Sequence, residues 1–553
     1  MSAELAGHSG VHAVAAARAH GVEVMFTLSG AHVFPLYDAA VNPATPTGAD
    51  PMRLVDVRHE ATAVFAAEGL ARLTRRPGLA VLTAGPGVTN GVSAVTSAHF
   101  TGSPLLVLGG RAPANRWGQG SLQELDHPQL LAPVTKHAAT VSAADDVGRE
   151  VDAALTLATT SHRGPVFLDI PFDVIYAHAT AAAPALPDSA PLAPDDADLR
   201  AVATVLAQAE RPVVVLSSDV WMDGAEDAAR AAVEDLGVPV ITTGQGRGVL
   251  PRGHPLLVTR ARSAAFNAAD LVVVAGGPLD FRLGYGRFGG RDGSAPAAVI
   301  HLADSPGQIA THVELAASAA GDLTAVFTGI LAALSRRPDW SAWTDSMRAA
   351  ADGGSAADAD MLAATSDPIH PARVYGELRR VLDDDAVVIG DGGDFVSFAG
   401  RFVEPARPGR WLDPGPFGCL GTGLGYAAAA RIAHPSAQVV LLLGDGAAGF
   451  SLMDVDTLVR HGLPVVMVVG NNGVWGLEKG PMQMLYGYDV AADLQPSTRY
   501  DDVVRALGGD GELVTDPGEI GAALRRGFDS AGPYLVNVVT DPAAAYPRST
   551  FGV

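Results

Sequence analysis

The chain has 553 residues, with 60 acidic against 38 basic side chains for a formal charge of −22, 48% hydrophobic residues and one cysteine, Cys419. Its length suits about three or four domains, and its acidity sets up long-range repulsion that argues against nucleic acid or a membrane surface as partner. A single cysteine excludes an intramolecular disulfide and a cysteine-ligated zinc cluster, as expected of a cytoplasmic protein. Apolar runs such as Val439 to Leu443 fall far short of the roughly 20 residues that span a bilayer, and Met1 to Gly10 carries no secretory pattern.

Between Gly21 and Asp173 the short β-branched runs VEVMFTL, MRLVDV, GLAVLTA, PLLVLGG and GPVFLDI alternate with Ala-rich helical stretches. That alternation predicts parallel strands with crossover helices. Ala181 to Asp195, AAAPALPDSAPLAPD, reads as a linker. From Asp196 to about Arg337 the pattern resumes in RPVVVLSS, PVITTG, DLVVVAGG and AAVIHLA, and a polar Ala/Asp/Gly-rich stretch from Ser346 to Asp367 marks the next boundary. DAVVIGDGG, AQVVLLLGDG, LPVVMVVGNN, GELVTD and YLVNVVT then supply a third set of strands. The expected fold class is α/β, with three Rossmann-like parallel-sheet domains over residues 1–180, 196–337 and 368–553.

The chemistry concentrates in Gln438 to Lys479. One buried strand there ends in Gly444-Asp445-Gly446-Ala447 and the next ends in Asn471-Asn472. Parallel strands share a carboxyl edge, where such sheets bind ligands, so Asp445 and Asn472 converge although distant in sequence. A carboxylate and an amide oxygen are hard ligands suited to Mg²⁺, and the flanking glycines let a diphosphate approach. GDG alone is also an ordinary strand-to-helix turn; it is the pairing with NN that carries the information.

This stretch resembles the cofactor motif of thiamine diphosphate enzymes, and from about Ala13 to Pro547 the chain is similar to their acetolactate synthase, benzaldehyde lyase and 2-hydroxyacyl-CoA lyase branch. The resemblance implies thiamine diphosphate and Mg²⁺ as cofactors, with Asp445, Asn472 and the Val474 carbonyl on the metal and Trp475 and Gly476 continuing the cofactor turn. It implies a glutamate at a strand end in the first domain, and VDVRHEATAVFAAEGLA supplies Glu60, whose task is to hold a proton against the aminopyrimidine nitrogen. Leu420 falls where the family props the cofactor's bend, with backbone near Gly418 on the pyrimidine. GDGGDF resembles the family's other diphosphate loop, although Asp394 and Phe395 stand where Gln and His are frequent; a carboxylate there repels a diphosphate unless turned away. Pro86 and Asn90 belong to the TAGPGVTN loop. His32, in a GAH turn as in benzaldehyde lyase, and Gln123, in GSLQELDH, would face substrate. Glu60 would come from one subunit and the Asp445 site from its neighbour in a homodimer or homotetramer.

The segment after NN, GVWGLEKGPMQMLYGY, bears on the small-molecule substrate. Acetolactate synthases typically continue with Met-Val and a Trp, where this chain has Leu477 and Glu478. A carboxylate near the reacting carbon would repel a 2-ketoacid and suits the neutral acyl thioester of an acyl-CoA. The first expectation is therefore a 2-hydroxyacyl-CoA lyase, with Glu478 taking the substrate hydroxyl proton; resemblance to actinobacterial-type 2-hydroxyacyl-CoA lyases implies that Leu122 lines an acyl pocket. The alternatives are acetolactate synthase-type condensation of 2-ketoacids and a benzaldehyde lyase-like carboligase. Middle domains of the family often hold ADP or FAD. Here IHLADSP has Ala303 where many relatives carry a ribose-binding Asp, with Asp304 one place late, which argues against a nucleotide. The terminal PRSTFGV leaves little chain to close over coenzyme A. A nicotinamide dehydrogenase would need a full G-x-G-x-x-G after a first-domain strand, which is lacking, and an inactive scaffold would have lost Glu60, Asp445 or Asn472.

Overall fold

A computed structural model describes residues 4–42, 44–45, 51–182, 190–290 and 295–546. The first segment holds strands β1 (Glu4–His8), β2 (Val24–Thr27), β3 (Arg53–Asp56), β4 (Gly78–Leu82), β5 (Leu105–Arg111), β6 (His137–Thr140), β7 (Pro165–Pro171) and β8 (His178–Ala182). The second holds β9 (Pro212–Leu216), β10 (Val240–Thr242), β11 (Leu271–Ala275), β12 (Ala298–Ala303) and β13 (Ala317–Ala320). The third holds β14 (Val387–Asp391), β15 (Trp411–Leu412), β16 (Val439–Gly444), β17 (Val466–Asn471), β18 (Asp510–Val514) and β19 (Tyr534–Val539).

Each segment builds one parallel sheet, so the fold is α/β with three Rossmann-like sheets. Their strand orders are β3-β2-β4-β5-β7-β6, β10-β9-β11-β12-β13 and β15-β14-β16-β17-β19-β18. The two outer sheets share one topology, and in each the order reverses beside the first strand, which opens a crevice at the carboxyl edge. Sheets covered by helices on both faces need unbroken apolar strands; β16, VVLLLG, is buried from Val439 to Leu443. β1 and β8 form a separate antiparallel pair.

The outer segments share one core. The helix Glu60–Thr74 lies against the helix Gly423–Ala433, and Phe65, Leu424 and Tyr426 belong to one buried cluster. The approach requires Gly425, because a Cβ there would stand 2.8 Å from the Phe65 Cβ and 2.9 Å from the Ala66 amide. Glu68 is fully buried in this joint and accepts from Tyr426 Oη at 2.9 Å and Thr101 Oγ1 at 2.8 Å. Burial pushes its carboxyl up against the opposing pull of Arg72.

Two expectations change. The stretch from Ser346 to Asp367 is mostly helical, within Ser341–Ala357 and Ala359–Leu362; its alanines favour helix, and Met347 and Ala351 are buried against the middle segment. Of the expected linker, Ala181 and Ala182 complete β8, residues 183–189 lie outside the described residues, and Asp195 caps the next helix by accepting from the Ala197 amide at 2.6 Å. The PRSTFGV segment also lies outside the described residues. Among the described residues, no helix is long and apolar enough to cross a membrane.

Candidate active site

Asp445 opens the helix that follows β16 and is 4% exposed. Its Oδ1 accepts from the Gly446 amide at 2.9 Å and its Oδ2 from the Gly473 amide at 2.6 Å. Burial outweighs these donors and pushes the carboxyl up to about 6. Asn472 follows β17, with its Oδ1 accepting from the Val474 amide at 3.2 Å. The two asparagines have separate tasks. Asn471 is buried and donates to Thr498 O at 2.9 Å and Asn537 Oδ1 at 3.0 Å, so only Asn472 faces the crevice.

A cavity of about 270 Å³ crosses the carboxyl edge and is lined by Asp394, Phe395, Gly418, Leu420, Gly444, Asp445, Gly446, Ala447, Asn472, Val474, Trp475, Gly476, Leu477 and Glu478. Trp475 covers Gly446, where a Cβ would meet its ring at 2.5 Å. Asp391, fully buried at the end of β14, accepts from the amides of Gly421 at 3.1 Å and Gly423 at 2.8 Å, and so pins the loop bearing Gly418 and Leu420 to the sheet. Asp394 directs its carboxylate to the Tyr546 amide, at 3.0 and 3.2 Å. Phe395 is buried with its ring packed at Gly470 and beside Tyr375; its side chain belongs to the core. Leu477 rests on Gly393, and Glu478 is exposed in the first turn of the helix Gly476–Tyr486. Two hard oxygen ligands beside a glycine-lined crevice suit a divalent ion carrying a diphosphate.

The other half lies at the carboxyl edge of the first sheet. Glu60 is the first residue of its helix, 7% exposed, and its Oε2 accepts from Asn90 Nδ2 at 3.0 Å. Pro86 and Asn90 lie in the first turns of the helix Pro86–Phe100. His32 is buried with Nδ1 3.3 Å from Thr83 Oγ1, and burial together with the nearby His127 lowers its pKa, which favours a neutral imidazole. Gln123 adopts a left-handed backbone, φ 62°, against Gly85. The sequence reading missed His127. Its Nε2 accepts from the Gly85 amide at 2.9 Å while Nδ1 faces Asp169 Oδ2 at 2.9 Å, so the ring proton sits on Nδ1. Arg111 donates to the same oxygen at 2.8 Å. The GSLQELDH motif contains His127, but Asp169 and Arg111 come from β7 and β5. Leu122 is 77% exposed. None of Glu60, Pro86, Asn90, His32, Leu122 or Gln123 lines the Asp445 cavity; one chain carries two half-sites.

In the middle segment, Asp304 is 1% exposed, with one carboxylate oxygen bonded to His162 at 3.0 Å.

Residues 9–130, 199–330 and 391–538 match the family models of the N-terminal TPP binding domain, central domain and C-terminal TPP binding domain of thiamine pyrophosphate enzymes. Over 535 residues the chain is 48% identical to the probable acetolactate synthase of Mycobacterium bovis, covering 96% of this chain and 95% of that protein. The acetolactate synthase large subunit IlvG of Mycobacterium tuberculosis gives the same figures. The 2-hydroxyacyl-CoA lyase 2 of Caenorhabditis elegans is 34% identical over 589 residues, covering 96% and 89%.

Proposed function

The chain belongs to the thiamine pyrophosphate enzyme family, and from that premise we propose that it condenses 2-ketoacids in the manner of an acetolactate synthase. The observation that carries the cofactor assignment is the convergence of Asp445 and Asn472 on one glycine-lined crevice. The choice of substrate is supported by 48% identity to acetolactate synthases against 34% to the 2-hydroxyacyl-CoA lyase. This reverses the order expected from the sequence. The preference for a lyase rested on repulsion between Glu478 and a 2-ketoacid carboxylate, and the higher identity to acetolactate synthases supports the alternative instead.

In this reading Asp445, Asn472 and the Val474 carbonyl hold Mg²⁺ and, through it, the diphosphate. Leu420, fixed through Asp391, props the cofactor, and Glu60, oriented by Asn90, holds a proton at the aminopyrimidine nitrogen. Thiamine diphosphate, when bound, supplies a carbon nucleophile for the keto carbon. His32, Gln123 and the tautomer-fixed His127 surround the turn where the substrate oxygen would exchange a proton. Because the two half-sites share no cavity within a chain, the reading includes a homodimer or homotetramer in which Glu60 of one subunit serves the Asp445 site of its neighbour.

The test supplies thiamine diphosphate and Mg²⁺, with pyruvate in one reaction and 2-hydroxyisobutyryl-CoA in another. Acetolactate from pyruvate is the expected result. Thioester cleavage without acetolactate would restore the lyase and overturn the condensation.

A further inference from the structure

Outside the cavity that Asp445 lines, three metal-ligating side chains meet between the first and middle segments. His162 lies in the turn before β7, while Asp304 directly follows β12 and Asp219 lies just beyond β9. One ligand atom from each lies within 4.8 Å of the others, and His162 Nδ1 is 3.0 Å from Asp304 Oδ2. Asp304 is 1% exposed, yet its Oδ1 has no hydrogen-bond partner. Asp219 is 8% exposed, and no donor reaches its carboxylate among the described residues.

The neighbouring cations are bonded mainly to other partners. Arg163 is committed to Asp223 at 2.7 Å and reaches Asp304 only at 3.6 Å. Lys136 Nζ spends its donors on the carbonyls of Leu157 at 2.6 Å and of Thr160 and His162 at 2.7 Å each. Asp219, Asp223 and Asp304 therefore face Arg163, Lys136 and the His162 imidazole in a corner where water is scarce, and Asp304 Oδ1 is left unbonded there. Buried charge of this kind is tolerated when paired or bound to metal.

We propose that His162, Asp219 and Asp304 bind one divalent cation of the Zn²⁺ or Mn²⁺ class, which clasps the first segment to the middle one. One imidazole nitrogen with two carboxylates suits such ions better than Mg²⁺, which favours oxygen donors and its own waters. Ligand atoms around a tetrahedral ion lie about 3.3–3.5 Å apart, so rotation of the Asp219 side chain closes most of the remaining distance. Binding exchanges the His162–Asp304 hydrogen bond for two metal bonds, and any proton on His162 or Asp219 is released to solvent. A cavity of about 590 Å³ bordered by His162 and Asp219 admits the ion and the water that completes its coordination. The clasp is independent of the reaction catalysed.

The experiment titrates chelator-stripped, cofactor-free full-length protein with Zn²⁺ by calorimetry and follows its thermal midpoint. Expected is one Zn²⁺ per chain, kept in Asp445→Asn and weakened at least tenfold in Asp219→Asn and His162→Ala, with the Zn²⁺-induced rise in midpoint lost in Asp219→Asn. If His162→Ala does not fold, the near-isosteric Asp219→Asn decides alone. No Zn²⁺ bound beyond that lost in Asp445→Asn, or unchanged affinity in Asp219→Asn, overturns the proposal.

Discussion

Asp454, from the third segment, anchors the turn that leads into the helix beginning at Glu60: its Oδ2 accepts from Thr62 Oγ1 at 2.6 Å and its Oδ1 from the Arg58 amide at 2.8 Å. The carboxylate is buried and also accepts from Thr457 Oγ1 at 2.8 Å. The helix start itself is capped by His59, whose Nδ1 accepts from the Ala61 amide at 3.1 Å. Asp454→Ala strands the Arg58 amide and the Thr62 hydroxyl, at a cost of about 2–4 kcal/mol. Urea denaturation is expected to show that loss. Calorimetry is expected to show weaker cofactor binding as well, because these bonds fix the turn that aims Glu60.

Glu60 itself is tested by a change that keeps its shape. Glu60→Gln retains an acceptor for Asn90 Nδ2 but gives up the carboxyl proton. Turnover is expected to fall by about 10²-fold or more, while the thermal midpoint and cofactor affinity change little. Asn90→Ala leaves the carboxyl in place but free to rotate, and is expected to cost about tenfold in turnover. Steady-state kinetics that leave Glu60→Gln within a few-fold of wild type would remove the assigned role.

What the sequence disclosed and what it concealed divide by distance along the chain. Asp445 and Asn472 were legible because each closes an apolar strand, and strand ends of a parallel sheet share an edge. Glu60 was legible because a strand, a short turn and an Ala-rich helix follow in order. Asp454 as the partner of Thr62, and Asp169 and Arg111 as the partners of His127, were not, since no local period links those residues. Asn471 and Asn472 look alike in the sequence, and only the packing of Thr498 and Asn537 beneath Asn471 separates structure from site. Glycines at 353 and 354 made a boundary look irregular; buried Met347 and Ala351 hold that helix instead.

Asp391 gives a pH dependence with a defined sign. Burial pushes its carboxyl from the ordinary 3.8 up to about 7, against the pull of the Gly421 and Gly423 amides. With the folded value raised, the folded state holds the proton more tightly than the unfolded chain does. Its contribution to stability is complete below about 4 and is lost as the pH rises through about 7. Asp391→Asn removes the titration but leaves one amide without an acceptor, so at pH 5 it is expected to be less stable than wild type by about 1–3 kcal/mol. Urea midpoints for both proteins between pH 5 and 8 are expected to converge as the pH rises. Comparing the pair isolates Asp391 from the other buried carboxyls, and a constant gap would remove the assigned shift.

Glu478 separates the two chemistries most sharply. It lines the cavity beside Leu477; where the assembled site keeps it in contact with water, two unit charges 4 Å apart interact by only about 1 kcal/mol. In a 2-ketoacid condensation it touches no proton that must move, and Glu478→Gln is expected to change kcat with pyruvate by less than about threefold, with KM lowered slightly as the weak repulsion is removed. In a lyase the same carboxylate takes the substrate's hydroxyl proton, and its loss would cost roughly 10²–10⁴-fold. Measuring acetolactate formation at low and high salt adds a second discriminator: if Glu478 only repels substrate through solvent, the difference in KM between wild type and Glu478→Gln shrinks as salt rises, whereas a loss of kcat that salt does not alter would make Glu478 part of the proton transfer.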